Sequence, residues 1–131
     1  MKRTATSLEE RPTAYVVDDD DAVRDSIRML LESQGFTVCT YASGWSFLRE
    51  ARANRNSCLV VDVNMPGMNG LELLDQLRRD GIMVPAIVVT GRFDTRIQAT
   101  VDRAGAVLLA KPFRVGELVG CIERALTKVR D

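Results

Sequence analysis

Five short apolar runs, each followed by a stretch with helical spacing, constrain this chain more than any other feature. The runs are "AYVV", "TVCTY", "CLVVDV", "AIVVT" and "AVLLA". All but the second are continuous rather than alternating, the pattern of strands covered on both faces. The second is mixed and is expected near a sheet edge. In the first gap Val23, Ile27, Leu30 and Leu31 fall at i, i+4, i+7 and i+8, and Gly35 offers a C-terminal stop. Ser43 is a candidate N-cap for a shorter helix opened by Trp45 and Leu48. Asn69 is a candidate cap for a helix carrying Leu71, Leu74 and Leu77 inward before Gly81. Asp94 can cap a fourth, with Ile97, Val101 and Ala104 before Gly105. In the last, Val115, Leu118, Val119, Ile122, Ala125, Leu126 and Val129 trace one face.

Strict alternation of strand and helix predicts parallel strands joined by right-handed crossovers, with helices on both faces: a doubly wound α/β domain. In such sheets ligands bind beyond the carboxyl ends of the strands. Those ends carry polar residues here. The first strand ends in Asp18 and Asp19, the third delivers Asp62, the fourth ends in Thr90, and the fifth runs into Lys111-Pro112. Taken singly, each has an ordinary explanation. Aspartates after a strand often cap the next helix, the role assigned here to Asp20 and Asp21, which lie nearest its start. Capping cannot easily use Asp18 and Asp19 as well. Asn69 is a better cap than Asp62, because the loop "NMPGMNG" intervenes. A lone threonine or lysine at a strand end is ordinarily structural. Converging on one edge, the five side chains make a site.

Carboxylates from Asp18, Asp19 and Asp62 in one crevice would repel each other unless a cation sat among them. The chain has no histidine, so Ser-His-Asp triads, Cys-His pairs and histidine-ligated zinc are excluded. Cys39, Cys58 and Cys121 are too far apart for a metal-ligand spacing and are expected as reduced thiols. An oxygen-only set points to magnesium, calcium or manganese, with Mg²⁺ typical because it accepts few carboxylates and keeps open positions for phosphoryl oxygens. With Lys111 as a second positive charge and the Thr90 hydroxyl as a donor, Asp62 is equipped to attack a phosphoryl group and hold an acyl phosphate. Charged residues balance, 18 basic against 18 acidic, a poor footprint for direct nucleic-acid binding. No apolar run is long enough to span a membrane and "MKRTATSLEERPT" has no signal-peptide core, so residues 1–12 are expected as a flexible tail and the compartment as cytoplasm.

Over residues 13–130 the chain resembles the receiver domains of two-component response regulators. The residues that carry the resemblance are "VVDDDDAVR", "VVDVNMPGMNGLELL", "VVTG" and "GAVLLAKPF". The wording of "MPGMNG" and "AGA…KPF" is closest to the nitrogen-fixation regulator group. The resemblance implies a flavodoxin-like (βα)5 domain with strand order 2-1-3-4-5, and Asp62 as phosphoacceptor. Asp18 and Asp19 match its acidic Mg²⁺-binding pair, and Asn64 the position whose backbone carbonyl completes the metal shell. Thr90 matches the switch hydroxyl and Lys111 the lysine of the motif, with a cis Lys111-Pro112 peptide. It also implies a sensor histidine kinase as phosphoryl donor, self-catalysed phosphorylation and dephosphorylation, and a homodimer through the fourth helix, fifth strand and fifth helix. Regulators of this group usually carry a helix-turn-helix output domain after the receiver.

The chain departs from the family at Leu108, where Tyr or Phe is usual, and at Arg92 and Phe93, where small or polar residues are common. A competing reading is a degenerate receiver that dimerises or docks without phosphorylation, favoured only by Leu108. A Mg²⁺-dependent phosphatase would carry a second aspartate two residues after its nucleophile, and Asn64 stands there instead.

Overall fold

A computed structural model describes residues 11–54 and 56–130, with side chains as far as Thr127. The elements run β1 (Thr13–Val17), α1 (Asp21–Ser33), β2 (Val38–Tyr41), α2 (Gly44–Glu50), β3 (Ser57–Asp62), α3 (Gly70–Arg79), β4 (Ala86–Thr90), α4 (Thr95–Arg103), β5 (Val107–Ala110) and α5 (Val115–Arg130). All strand pairs are parallel and the order is β2-β1-β3-β4-β5, the predicted flavodoxin-like arrangement. Residues 1–10 of the expected tail and the side chain of Val129 lie outside the described residues.

The continuous apolar runs have a simple cause. Side chains alternate across a strand, so a sheet coated on both sides needs apolar residues at every position. Ala14, Val16, Cys58, Val60, Ile87 and Val89 face one layer with Ile27 and Leu31 of α1 and Leu118 and Ile122 of α5. Tyr15, Val17, Leu59, Val61, Ala86 and Val88 face the other, with Phe47 of α2, Leu73, Leu74 and Leu77 of α3 and Val101 of α4. Each fully buried side chain of this size is worth about 1.5–3 kcal/mol.

Burial adds detail in three elements. The fifth run, expected to be covered on both faces, forms the second edge of the sheet, and its burial alternates until Ala110 is exposed. In α2 the inward residue is Phe47, packed edge-on against Tyr15 and Tyr41, while Trp45 is 59% exposed. In α3 Leu74 and Leu77 are buried as expected and Leu73 joins them, while Leu71 is only partly buried against the same layer.

Helix starts follow the expected caps. Asp20 accepts from the Val23 N–H, Ser43 from Ser46, Asn69 from Glu72 in a reciprocal capping box, and Asp94 from Arg96. Each cap satisfies a backbone donor that the first turn leaves free. Among the described residues no helix is long and apolar enough to cross a membrane.

Candidate functional site

The register sets the depth of each side chain. Val17 of β1 pairs with Val61 of β3, so Asp18 and Asp62 emerge at one level on adjacent strands. Asp62 pairs with Val89 and Thr90 with Ala110, which puts Thr90 one step beyond the level of Asp62 and Lys111 two steps beyond it, just past the end of β5. Carboxylate oxygens of Asp18, Asp19 and Asp62 lie within 4.8 Å of one another. Lys111 Nζ stands 2.9 Å from Asp62 Oδ1. The structure therefore brings together Asp18, Asp19, Asp62 and Lys111 directly. Asn64 is exposed in the loop two residues past Asp62. The Lys111-Pro112 peptide is cis, as expected.

The carboxylates differ in their surroundings. Asp18 and Asp62 are 3% and 7% exposed, whereas Asp19 is open to solvent. Burial pushes the Asp18 carboxyl above the ordinary carboxylate range; the Asp20 N–H draws it back, Asp62 pushes it up again, Lys111 offsets this and Asp19 adds to it. Burial and the neighbouring carboxylates both disfavour its charge, and a divalent cation among them would offset both. The donor set fits a hard divalent ion: carboxylates within reach of one another, one solvent-facing, with a carbonyl-bearing loop beside them.

Two residues missed by sequence reasoning shape this site. Arg24 of α1 donates through Nη1 to the Asp18 carbonyl oxygen at 2.7 Å and through Nη2 to the Asp21 carboxylate. Its side chain is only 16% exposed. Gly70, the first residue of α3, lies so close to the third strand that a Cβ there would sit 2.3 Å from the Asp62 carbonyl oxygen. Only glycine allows α3 to start against the backbone of Asp62. The available signals were weak: an arginine inside the quoted stretch "VVDDDDAVR", and a glycine directly after the cap Asn69, where a helix start needs none.

The β4 end is arranged differently. Thr90 is buried, and its hydroxyl donates to the Arg92 carbonyl at 2.8 Å while accepting from the Arg92 N–H at 3.1 Å. Its single proton is thus committed to its own loop. Phe93, in the same loop, is 62% exposed. Leu108 is half-buried against the layer formed with α3 and α4. On the opposite flank, Gly67 takes a left-handed φ of 75° in the loop after β3, with the Trp45 indole nitrogen beside it, 3.9 Å from where a Cβ would stand.

A family profile for the response regulator receiver domain matches residues 14–123. The transcriptional regulatory protein FixJ of Azorhizobium caulinodans is 38% identical over 120 residues, covering 91% of this chain and 57% of that protein. Response regulator protein TodT of Pseudomonas putida is 38% identical over 113 residues, 86% of this chain and 50% of that one. This chain thus spans about half the length of these curated relatives. Among solved structures, FixJ-N superposes with a TM-score of 0.80 at 38% identity, covering 88% of this chain and 94% of that one. The response regulator StyR gives 0.81 at 40% identity, covering 89% and 60%.

Proposed function

The chain belongs to the response regulator receiver domain family, and on that premise we propose that it is a phosphorylation-driven switch whose acceptor is Asp62. The observation that carries the reading is three carboxylates within 4.8 Å with Lys111 at 2.9 Å from the central one. In the proposed reaction an Asp62 carboxylate oxygen attacks the phosphorus of a phosphohistidine on a partner sensor kinase. The new O–P bond forms as the N–P bond breaks, and the imidazole leaves with its electron pair. Lys111 already faces Asp62 and can follow the negative charge onto the phosphoryl oxygens. Asp18, Asp19, Asp62 and the backbone carbonyl of Asn64 would hold Mg²⁺, which supplies charge neutralisation and Lewis-acid contact at those oxygens. Hydrolysis of the resulting acyl phosphate, catalysed within the same site, resets the switch.

The Thr90 hydroxyl is the link to the rest of the molecule. To donate to a phosphoryl oxygen it must release the Arg92 carbonyl, because it has one proton. The loop carrying Arg92 and Phe93 then repacks, and with it the face of α4, β5 and α5 that includes Arg96, Leu108 and Val115. A partner that prefers one packing shifts the population. Homodimerisation through this face, and control of a DNA-binding domain of the kind that transcriptional regulators carry, would follow in the cytoplasm. The competing reading, a docking module indifferent to phosphorylation, rests on Leu108 alone.

The test is intact-mass measurement after incubation with acetyl phosphate. One added phosphoryl group is expected with Mg²⁺, none in excess chelator and none in Asp62→Asn. Labelling that survives the substitution would show that the acceptor lies elsewhere, and no labelling at all would favour the docking module.

A further inference from the structure

We infer that Arg24 is a positioning residue for the cation-binding carboxylates, acting by fixing the peptide planes on either side of Asp19. The inference rests on the proposed role of Asp18 and Asp19 in holding Mg²⁺. Asp19 is exposed and lies in the short turn between β1 and α1. The direction of its side chain therefore depends on its own φ and ψ. Those two angles are set by the peptide planes before and after it, and each plane is held by a side chain. The carbonyl of the first plane, Asp18 C=O, accepts from Arg24 Nη1 at 2.7 Å. The N–H of the second, Asp20 N–H, donates to Asp18 Oδ1 at 2.9 Å.

Arg24 is itself anchored from two sides. Its guanidinium is paired with Asp21, and its backbone N–H donates to the Asp20 carbonyl at 2.9 Å. The planar fork matters, since one nitrogen takes the carbonyl while another takes the carboxylate, a pairing a lysine ammonium holds with less fixed geometry. Asp21 thus does more than open the helix: it holds the arginine that holds the turn.

Charge and geometry predict opposite signs, which makes the inference decidable. A guanidinium beside an acidic cluster repels an incoming dication, so by charge alone its removal tightens Mg²⁺ binding. If Arg24 positions the ligands, removal weakens binding, as loss of outer groups that orient metal ligands does. The experiment is Mg²⁺ titration calorimetry on the full chain for wild type, Arg24→Gln, Arg24→Lys and Arg28→Gln, with urea unfolding of each in chelator. Arg24→Gln is expected to weaken Mg²⁺ binding about tenfold, Arg24→Lys to fall between it and wild type, and Arg28→Gln, a half-exposed residue one turn on, to match wild type. Arg24→Gln binding Mg²⁺ as tightly as wild type, or more tightly, overturns the inference, as does a stability loss with no change in affinity. Should Arg24→Gln not fold, Arg24→Lys decides: weaker binding in a folded protein supports the role and unchanged affinity overturns it. Wild type failing to bind Mg²⁺ would sink the functional reading and this inference with it, whereas binding in wild type with no Arg24 effect sinks the inference alone.

Discussion

The turn after β1 and the loop after β4 stand at the same edge of one sheet, yet they are tied down in opposite ways. After β1 a run of short-range hydrogen bonds ties the turn to the helix: Asp18 to Asp20, Asp20 to Val23, Arg24 to Asp18 and Asp21. After β4 the Thr90 hydroxyl closes a small ring on Arg92, and the next residue, Phe93, leaves most of its ring in water. Breaking the first arrangement would unseat several interactions at once. The second can be opened at the cost of two hydrogen bonds at Arg92, a residue exposed to solvent. On the proposed reading one half of the site keeps its shape and the other changes it. A phosphoryl switch needs both, a fixed place for chemistry and a loop with two accessible packings.

The largest effect is expected at Gly70, where α3 starts against the backbone of Asp62. Adding a methyl group drives it into the Asp62 carbonyl, so Gly70→Ala is expected to destabilise by about 3 kcal/mol, the upper range for overpacking, measured by urea unfolding. Acetyl-phosphate labelling of Asp62 should fall with it. Thr90→Val, nearly the same shape, should cost only about 1 kcal/mol because water replaces the lost partners. If Thr90→Val proves as costly as Gly70→Ala, the β4 loop is no easier to open than the packed start of α3.

Asp18 supplies a third comparison, with its sign set by burial. Its folded carboxyl holds a proton more tightly than the unfolded chain does. Its contribution to the metal-free protein is therefore full below the ordinary carboxylate value of 3.8 and is lost as pH rises through the raised folded value. In chelator at neutral pH, Asp18→Asn should melt above wild type, with the difference shrinking in acid. With saturating Mg²⁺ the order should reverse. Identical melting of the two proteins at every pH would show that the fixed half stores no repulsion.

The smallest effect is expected at Leu108, on the mobile side. Leu108→Tyr adds about 0.6 kcal/mol of burial to the inward packing. That corresponds to about threefold stronger coupling between beryllofluoride binding and self-association, read by sedimentation. Equal responses from wild type and variant would remove this position from the switch.

Much of this was legible in sequence because it depended on local chemistry. Continuous apolar runs gave the buried strands, and Asp20, Ser43, Asn69 and Asp94 were readable as caps because a cap needs only a short acceptor before an apolar period. The strand-end residues Asp18, Asp62, Thr90 and Lys111 followed from the same alternation. What escaped depended on tertiary geometry. A seven-residue helix is too short for spacing to fix its phase, so Phe47 was not readable as its inward residue. The partial exposure of β5 is not legible in "VLLA" itself; only the expected strand order 2-1-3-4-5, which puts β5 at an edge, implied it. Gly70 matters through an approach of two backbones, and Arg24 through a carbonyl six residues away in sequence.

Trp45, left in water by the phase of its helix, has a spectroscopic consequence. It is the chain's one tryptophan, and its indole lies beside Gly67, in the loop that leads from Asp62 to α3. Emission from an indole follows the polarity and collisional quenching around it, and here no second fluorophore of its kind dilutes the signal. A shift of that loop by an ångström or two would change the colour or intensity of the light the molecule returns. The protein therefore carries its own optical probe on the flank of the acceptor loop, readable in real time without a label and without altering a single residue of the site.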